Sequence, residues 1–101
     1  MADFPEIFQK LKKHEGQFPA TILQANDCDV YFSTLQAGTL IPPHRHDTDN
    51  YSIIIEGELI LDMYGAQKAF AVGQWCFVPA DTEHSATTKV DTRLIEFWFR
   101  K

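Results

Sequence analysis

From Thr21 onward the chain is punctuated by turn residues at intervals too short for a crossover helix, and this spacing constrains the fold more than any other feature. Short apolar or period-two runs recur at Thr21 to Gln24, Val30 to Leu35, Tyr51 to Glu56, Leu59 to Tyr64, Ala69 to Val72, Trp75 to Val78 and Arg93 to Phe99, and read as strands. Their separators, among them Asn26-Asp27, Glu56-Gly57-Glu58, Gly65-Ala66-Gln67 and Val72-Gly73-Gln74, carry turn chemistry. Parallel strands need connections of a dozen or more residues, so the pattern predicts an antiparallel sandwich or barrel.

Ahead of the strands, Asp3 stands three residues before Glu6, and Phe4, Ile7, Phe8 and Leu11 form one helical stripe. This predicts a short amphipathic helix within residues 1–16, with Lys10, Lys12 and Lys13 in its last turn, His14 on the surface and Gly16 just beyond. A chain of 101 residues holds one core, so residues 1–101 are expected to form one domain: the helical segment, then a β-barrel over 20–101.

A formal net charge of -5, with basic residues clustered only at that helix end, excludes a general nucleic-acid binder. No apolar run approaches the roughly 20 residues of a membrane-spanning helix, and residues 1–10 lack the basic-then-apolar order of a secretory signal. The expectation is a soluble, cytoplasmic chain without nucleic-acid or membrane partners. Cys28 and Cys76 fit neither a zinc-finger nor a redox spacing and are expected to be core thiols.

The chemistry is concentrated in Pro42-Pro43-His44-Arg45-His46-Asp47-Thr48-Asp49-Asn50. On a strand, residues i and i+2 share a face, so His44 and His46 can converge on one atom. His84 follows the turn Pro79-Ala80-Asp81-Thr82-Glu83 and comes opposite the pair if the sheet closes. Three neutral imidazoles suit one divalent transition metal (Fe, Ni, Mn, Zn or Cu).

These residues form two motifs. Gly38, five residues, His44-Arg45-His46, three residues, Asn50, six residues, Gly57 resembles the first motif of the cupin superfamily. Gly73, five residues, Pro79-Ala80-Asp81, two residues, His84, three residues, Thr88 resembles the second. The resemblance implies a double-sheet jelly-roll barrel that binds a metal inside through His44, His46 and His84. Asn50 stands where the first motif usually has a glutamate ligand, and Asp81 and Thr88 where the second usually has glycine and asparagine. A neutral amide at position 50 is a weak metal ligand or lies just behind the ligands, so a dication keeps its full charge, which favours an anionic or bidentate substrate. Asp47 and Asp49 flank the site as alternative oxygen ligands. The competing reading is a cupin without metal, its histidines hydrogen-bonded in the pocket.

If Asn50 faces inward, Ser52, Ile54 and Glu56 share its face. The last strand has two settings. Ile95, Phe97 and Phe99 make the more apolar core face, which leaves Glu96 solvated; in the other setting Leu94, Glu96 and Trp98 face the cavity, and Glu96 can act as general base or replace the absent glutamate. Trp98, Ser52, Ile54 and Phe77 are the candidate pocket residues, and Glu96 the candidate catalytic one. The resemblance permits a three-histidine dioxygenase, an isomerase or lyase, or a non-catalytic small-ligand sensor, with a small-molecule partner in each case. Apolar residues on both faces of the strand Tyr51 to Glu56 predict a homodimer.

Overall fold

The computed structural model describes residues 3–16 and 18–100. After one helical turn, α1 (Glu6–Gln9), the strands in chain order are β1 (Lys12–Lys13), β2 (Ala20–Gln24), β3 (Cys28–Leu35), β4 (Leu40–His44), β5 (Asp49–Glu56), β6 (Glu58–Met63), β7 (Ala66–Ala71), β8 (Trp75–Val78), β9 (His84–Thr87) and β10 (Thr92–Phe99). They make two antiparallel sheets, ordered β1-β2-β3-β10-β5-β8 and β4-β9-β6-β7. Facing each other, the sheets form the jelly roll that the spacing and motifs predict. Among the described residues no helix is long and apolar enough to cross a membrane.

Leu35, Ile54, Leu59, Leu61, Phe70, Cys76, Val78 and Leu94 fill the space between the sheets. The inner face of the larger sheet follows from its register, because directly opposed residues point the same way. Asn50, Ser52 and Ile54 on β5 oppose Trp98, Glu96 and Leu94 on β10. On the other side of β5, Asn50 and Ser52 oppose Val78 and Cys76 on β8. Leu94, Glu96 and Trp98 therefore face the core, and the setting with Ile95, Phe97 and Phe99 inside is overturned. Hydrophobic content points the wrong way here, since Ile95, Phe97 and Phe99 are the more apolar set, whereas the inner face carries the Glu96 carboxyl between Leu94 and Trp98.

Phe77, expected in the pocket, is corrected by the same register. It pairs with Tyr51, stacks on that ring at 4.4 Å and points outward, 40% exposed. Tyr51, Trp75, Phe97 and Phe99 share this outer face around a shallow depression.

The N-terminal segment also differs from expectation. Helix is confined to Glu6–Gln9, Pro5 occupies the N-cap, and no side chain caps the turn. Asp3 instead receives the Arg93 guanidinium at 2.9 Å, while Phe4 and Phe8 pack on Phe32 with centroids 5.6 and 4.8 Å apart. Lys12 and Lys13 are strand residues opposite Ile22 and Thr21. A helix this short gains too little to offset its nucleation cost, whereas the edge of β2 supplies ladder partners at once. His14 follows β1 and lies half-buried against Tyr31, its ring centroid 5.0 Å away. The part of the helical expectation on residues 1–2 lies outside the described residues.

Gly57 joins β5 to β6 with φ +79°, and a Cβ there would lie 2.4 Å from the Asp91 carbonyl oxygen. Only glycine lets the hairpin pass this close to the start of β10. Thr92 locks the crossing, its hydroxyl meeting both the carbonyl and the N–H of Glu58 at 3.0 and 3.2 Å.

Candidate metal centre

His44 ends β4 and His84 begins β9, and the two are directly opposed across the smaller sheet. The pairing is irregular between Ile41 and His44: Ile41 opposes Ala86, yet His44, three residues on, opposes His84 only two residues back. The extra residue is a bulge at Pro42-Pro43, where neither residue has an N–H for the ladder. A regular strand would put His44 on the opposite face from Ile41. The bulge reverses that parity and brings both into the lining of one cavity.

His46 lies beyond the end of β4, so the pair is not two successive inward positions of one strand. Its position is set by other contacts. Its ring stands edge-on to Trp98 at 4.6 Å, and its carbonyl accepts the Asp81 N–H at 2.7 Å. The candidate ligand atoms of His44, His46 and His84 all lie within 4.8 Å of one another.

All three rings are held alike. Nδ1 of His44 donates to the Pro42 carbonyl at 2.9 Å, that of His46 to the Thr48 carbonyl at 3.1 Å and that of His84 to the Thr82 carbonyl at 2.9 Å. A carbonyl can only accept, so Nδ1 carries the proton and each Nε2 keeps its lone pair free, the tautomer that a metal requires. Burial, above all, pulls the His46 and His84 imidazolium ions below the ordinary histidine value, which keeps both rings neutral at neutral pH. Nε2 of His46 is buried and has no hydrogen-bond partner. Three convergent lone pairs, one of them buried and unsatisfied, fit a cation.

Among the described residues the cluster contains no carboxylate. Asp47 is exposed, and Asp49 uses its Oδ1 to accept the Ala80 N–H at 2.9 Å, which anchors the turn before His84. Asn50 is buried in the cavity wall with its Oδ1 unpartnered.

Glu96 belongs to the same cavity as His44, Asn50, Ser52, His84 and Trp98, a space of about 140 Å³. The Ser33 hydroxyl donates to its Oε1 at 2.7 Å. Burial raises its carboxyl above the ordinary range; hydrogen bonds from Ser33 and the Asn50 amide, and the proximity of the His44 ring, oppose the rise. Ile54 lies on the same face but is fully buried in the core rather than in the cavity lining. Two residues the sequence reading passed over complete the site: Ser33, which holds Glu96, and Cys76, whose thiol burial pushes up to about 11. Alternation with the outward rings of Trp75 and Phe77 was the available signal for Cys76.

Residues 31–98 match the model of a family described as Cupin domain. No curated protein matches the sequence. Among solved structures, a cupin superfamily protein from Desulfitobacterium hafniense is similar with a TM-score of 0.79 and 14% identity, over 100% of this chain and 94% of that one. An RmlC-like cupin from Shewanella frigidimarina gives 0.78 and 22%, over 88% and 82% of the two chains. KdgF from a Halomonas species gives 0.72 and 18%, over 83% and 82%.

Proposed function

This chain belongs to the cupin domain family, and we propose that it is a mononuclear metal-dependent enzyme acting on a small oxygenated or anionic molecule inside the barrel. His44, His46 and His84 would hold one divalent transition metal, Fe, Ni, Mn, Zn or Cu. The observation that carries this reading is the shared anchoring of the three rings through Nδ1, which leaves their Nε2 lone pairs to one ion. When bound, the cation supplies a Lewis acid and, if it is redox-active, a centre for dioxygen chemistry.

The chain's own residues do the remainder. A cavity of about 140 Å³ is well below the roughly 300–1,000 Å³ of sites for drug-sized ligands, so it selects a small molecule. Leu59, Leu61 and Val78 keep its walls dry. Glu96, with its carboxyl raised above the ordinary range by burial and held by Ser33, is the residue to serve as general acid or base. Oxygenase and isomerase or lyase chemistry are both open to such a site. Binding without turnover is the second reading, favoured by Asn50, a neutral amide in the cavity wall that supplies no anionic ligand.

The test is metal content after purification without a polyhistidine tag, for the native chain and for His84→Ala, after loading with each metal in turn. One ion per native chain, absent in a folded His84→Ala, is the expected result; no stoichiometric metal under any loading overturns the proposal. Dioxygen uptake with thiols, diketones and flavonoids then separates oxygenase from isomerase or lyase activity.

A further inference from the structure

Beside the imidazoles, two buried polar atoms on directly opposed residues lack partners: the Asn50 Oδ1 and the Trp98 Nε1. Asn50 is only 6% exposed. A Glu96 carboxylate accepts from the Asn50 amide, which assigns Nδ2 to that contact and leaves Oδ1 as the acceptor without a partner. Trp98 offers a donor and nothing else. Buried polar groups are normally paired, so one unused acceptor beside one unused donor calls for an occupant of matching pattern.

We infer that Asn50 and Trp98 form a recognition pair for a small 2-hydroxy carbonyl compound, one with a hydroxyl next to a carbonyl or carboxylate group. The hydroxyl donates to Asn50 Oδ1, and an oxygen of the carbonyl or carboxylate accepts from Trp98 Nε1–H. A bare cation meets the first need and leaves the indole N–H facing like charge. A simple carboxylate or ketone meets the second and leaves Asn50 unpaired. A ligand that carries both a donor and an acceptor satisfies both, and in a 2-hydroxy carbonyl compound the two sit on neighbouring atoms. Size agrees, since about 140 Å³ admits a molecule of few heavy atoms. The Trp98 ring also contacts His46 at 4.6 Å, so the accepting oxygen would lie next to the imidazole cluster. The inference rests on the proposed function only in taking the barrel as the ligand site.

The experiment follows the two indole N–H signals of ¹⁵N-labelled, zinc-loaded protein by NMR, with the Trp98 signal assigned by its loss in Trp98→Phe. Glycolate tests an anionic ligand and hydroxyacetone a neutral one; acetate and acetone are the controls without a hydroxyl. The expected result is a saturable downfield shift of the Trp98 signal with glycolate or hydroxyacetone, and affinity for the matching control about tenfold weaker or worse. Asn50→Ala should erase that preference; if it fails to fold, the comparison of ligand and control on the native chain still decides. Equal affinity for ligand and control overturns the inference. So does a Trp98 signal that no ligand moves, which would mean that an ordered water serves the pair. If zinc binds one per chain and the Trp98 signal stays fixed, the inference fails while the metal site stands. If zinc does not bind, the same titration on the zinc-free chain tests the pair, and the metal proposal is decided separately by loading with the other metals.

Discussion

The main-chain N–H of Asp81 donates to the carbonyl of His46 at 2.7 Å, so the turn that delivers His84 is tied directly to the loop that carries His46. Asp81 reaches this position with φ +59°, where the family motif usually has glycine. Its side chain is exposed, which leaves backbone conformation as the main thing a substitution changes.

Asp81→Val should therefore lower stability by about 1–2 kcal/mol and weaken zinc binding, because a β-branched residue resists the left-handed region. Asp81→Gly should match or exceed the native chain. Thermal unfolding and a zinc competition titration check both, and a Val variant as stable as the native chain would show that the turn relaxes out of this conformation.

Gly57 and Gly38 share positive φ but differ in surroundings. A Cβ at Gly57 meets Asp91 and Thr92 atoms at 2.4–2.8 Å, and one at Gly38 meets nothing within 4 Å. Gly38→Ala should cost about 1 kcal/mol from backbone strain alone. Gly57→Ala should cost ~3 kcal/mol or more, because backbone atoms at the start of β10 must also move. Equal unfolding midpoints for the two variants would show that the close approach is not maintained in solution.

Glu96 gives a pH prediction. Its carboxyl is raised in the folded chain, so the fold holds this proton more tightly than the unfolded chain does. The contribution is fully present below the ordinary value of 4.5 and is lost as pH rises through the elevated folded value. Glu96→Gln removes that loss. In metal-free protein its Tm advantage should grow between pH 4.5 and 7.5, reaching about 4–8 °C if the effect is ~1 kcal/mol. A difference that does not change with pH would place the carboxyl in water.

Asn50→Glu introduces a carboxylate beside the three imidazoles. Metal affinity, measured by chelator competition, should rise about tenfold or more, as expected for a charge at the edge of a metal site. Unchanged affinity would put the side chain at position 50 out of reach of the cation.

The antiparallel barrel and its histidines were legible because each depends on local pattern. Turn residues at short intervals exclude parallel connections, and Gly57 adopts the positive φ that its hairpin suggests. The Lys12–Lys13 strand was not legible, because an amphipathic stripe does not reveal whether a neighbouring strand edge competes for the same backbone. Nor was the inward turn of His44, since strict alternation breaks at the Pro42-Pro43 bulge.

What the sequence by itself determined is the set of candidate groups: three imidazoles and an amide at position 50, on the strands and turns of an antiparallel barrel. Only the tertiary structure decided which way the last strand faces. Ile95, Phe97 and Phe99 are the more apolar set, so hydrophobic periodicity points to the wrong face, and a shift of one residue would exchange Glu96 and Trp98 for Phe97 and Phe99. Pairing with β3 on one side and β5 on the other removes that freedom. It places the Glu96 carboxyl and the Trp98 indole beside Asn50 and leaves the phenyl rings of Phe97 and Phe99 outside, which turns a histidine cluster into a cavity with its own hydrogen-bonding pattern.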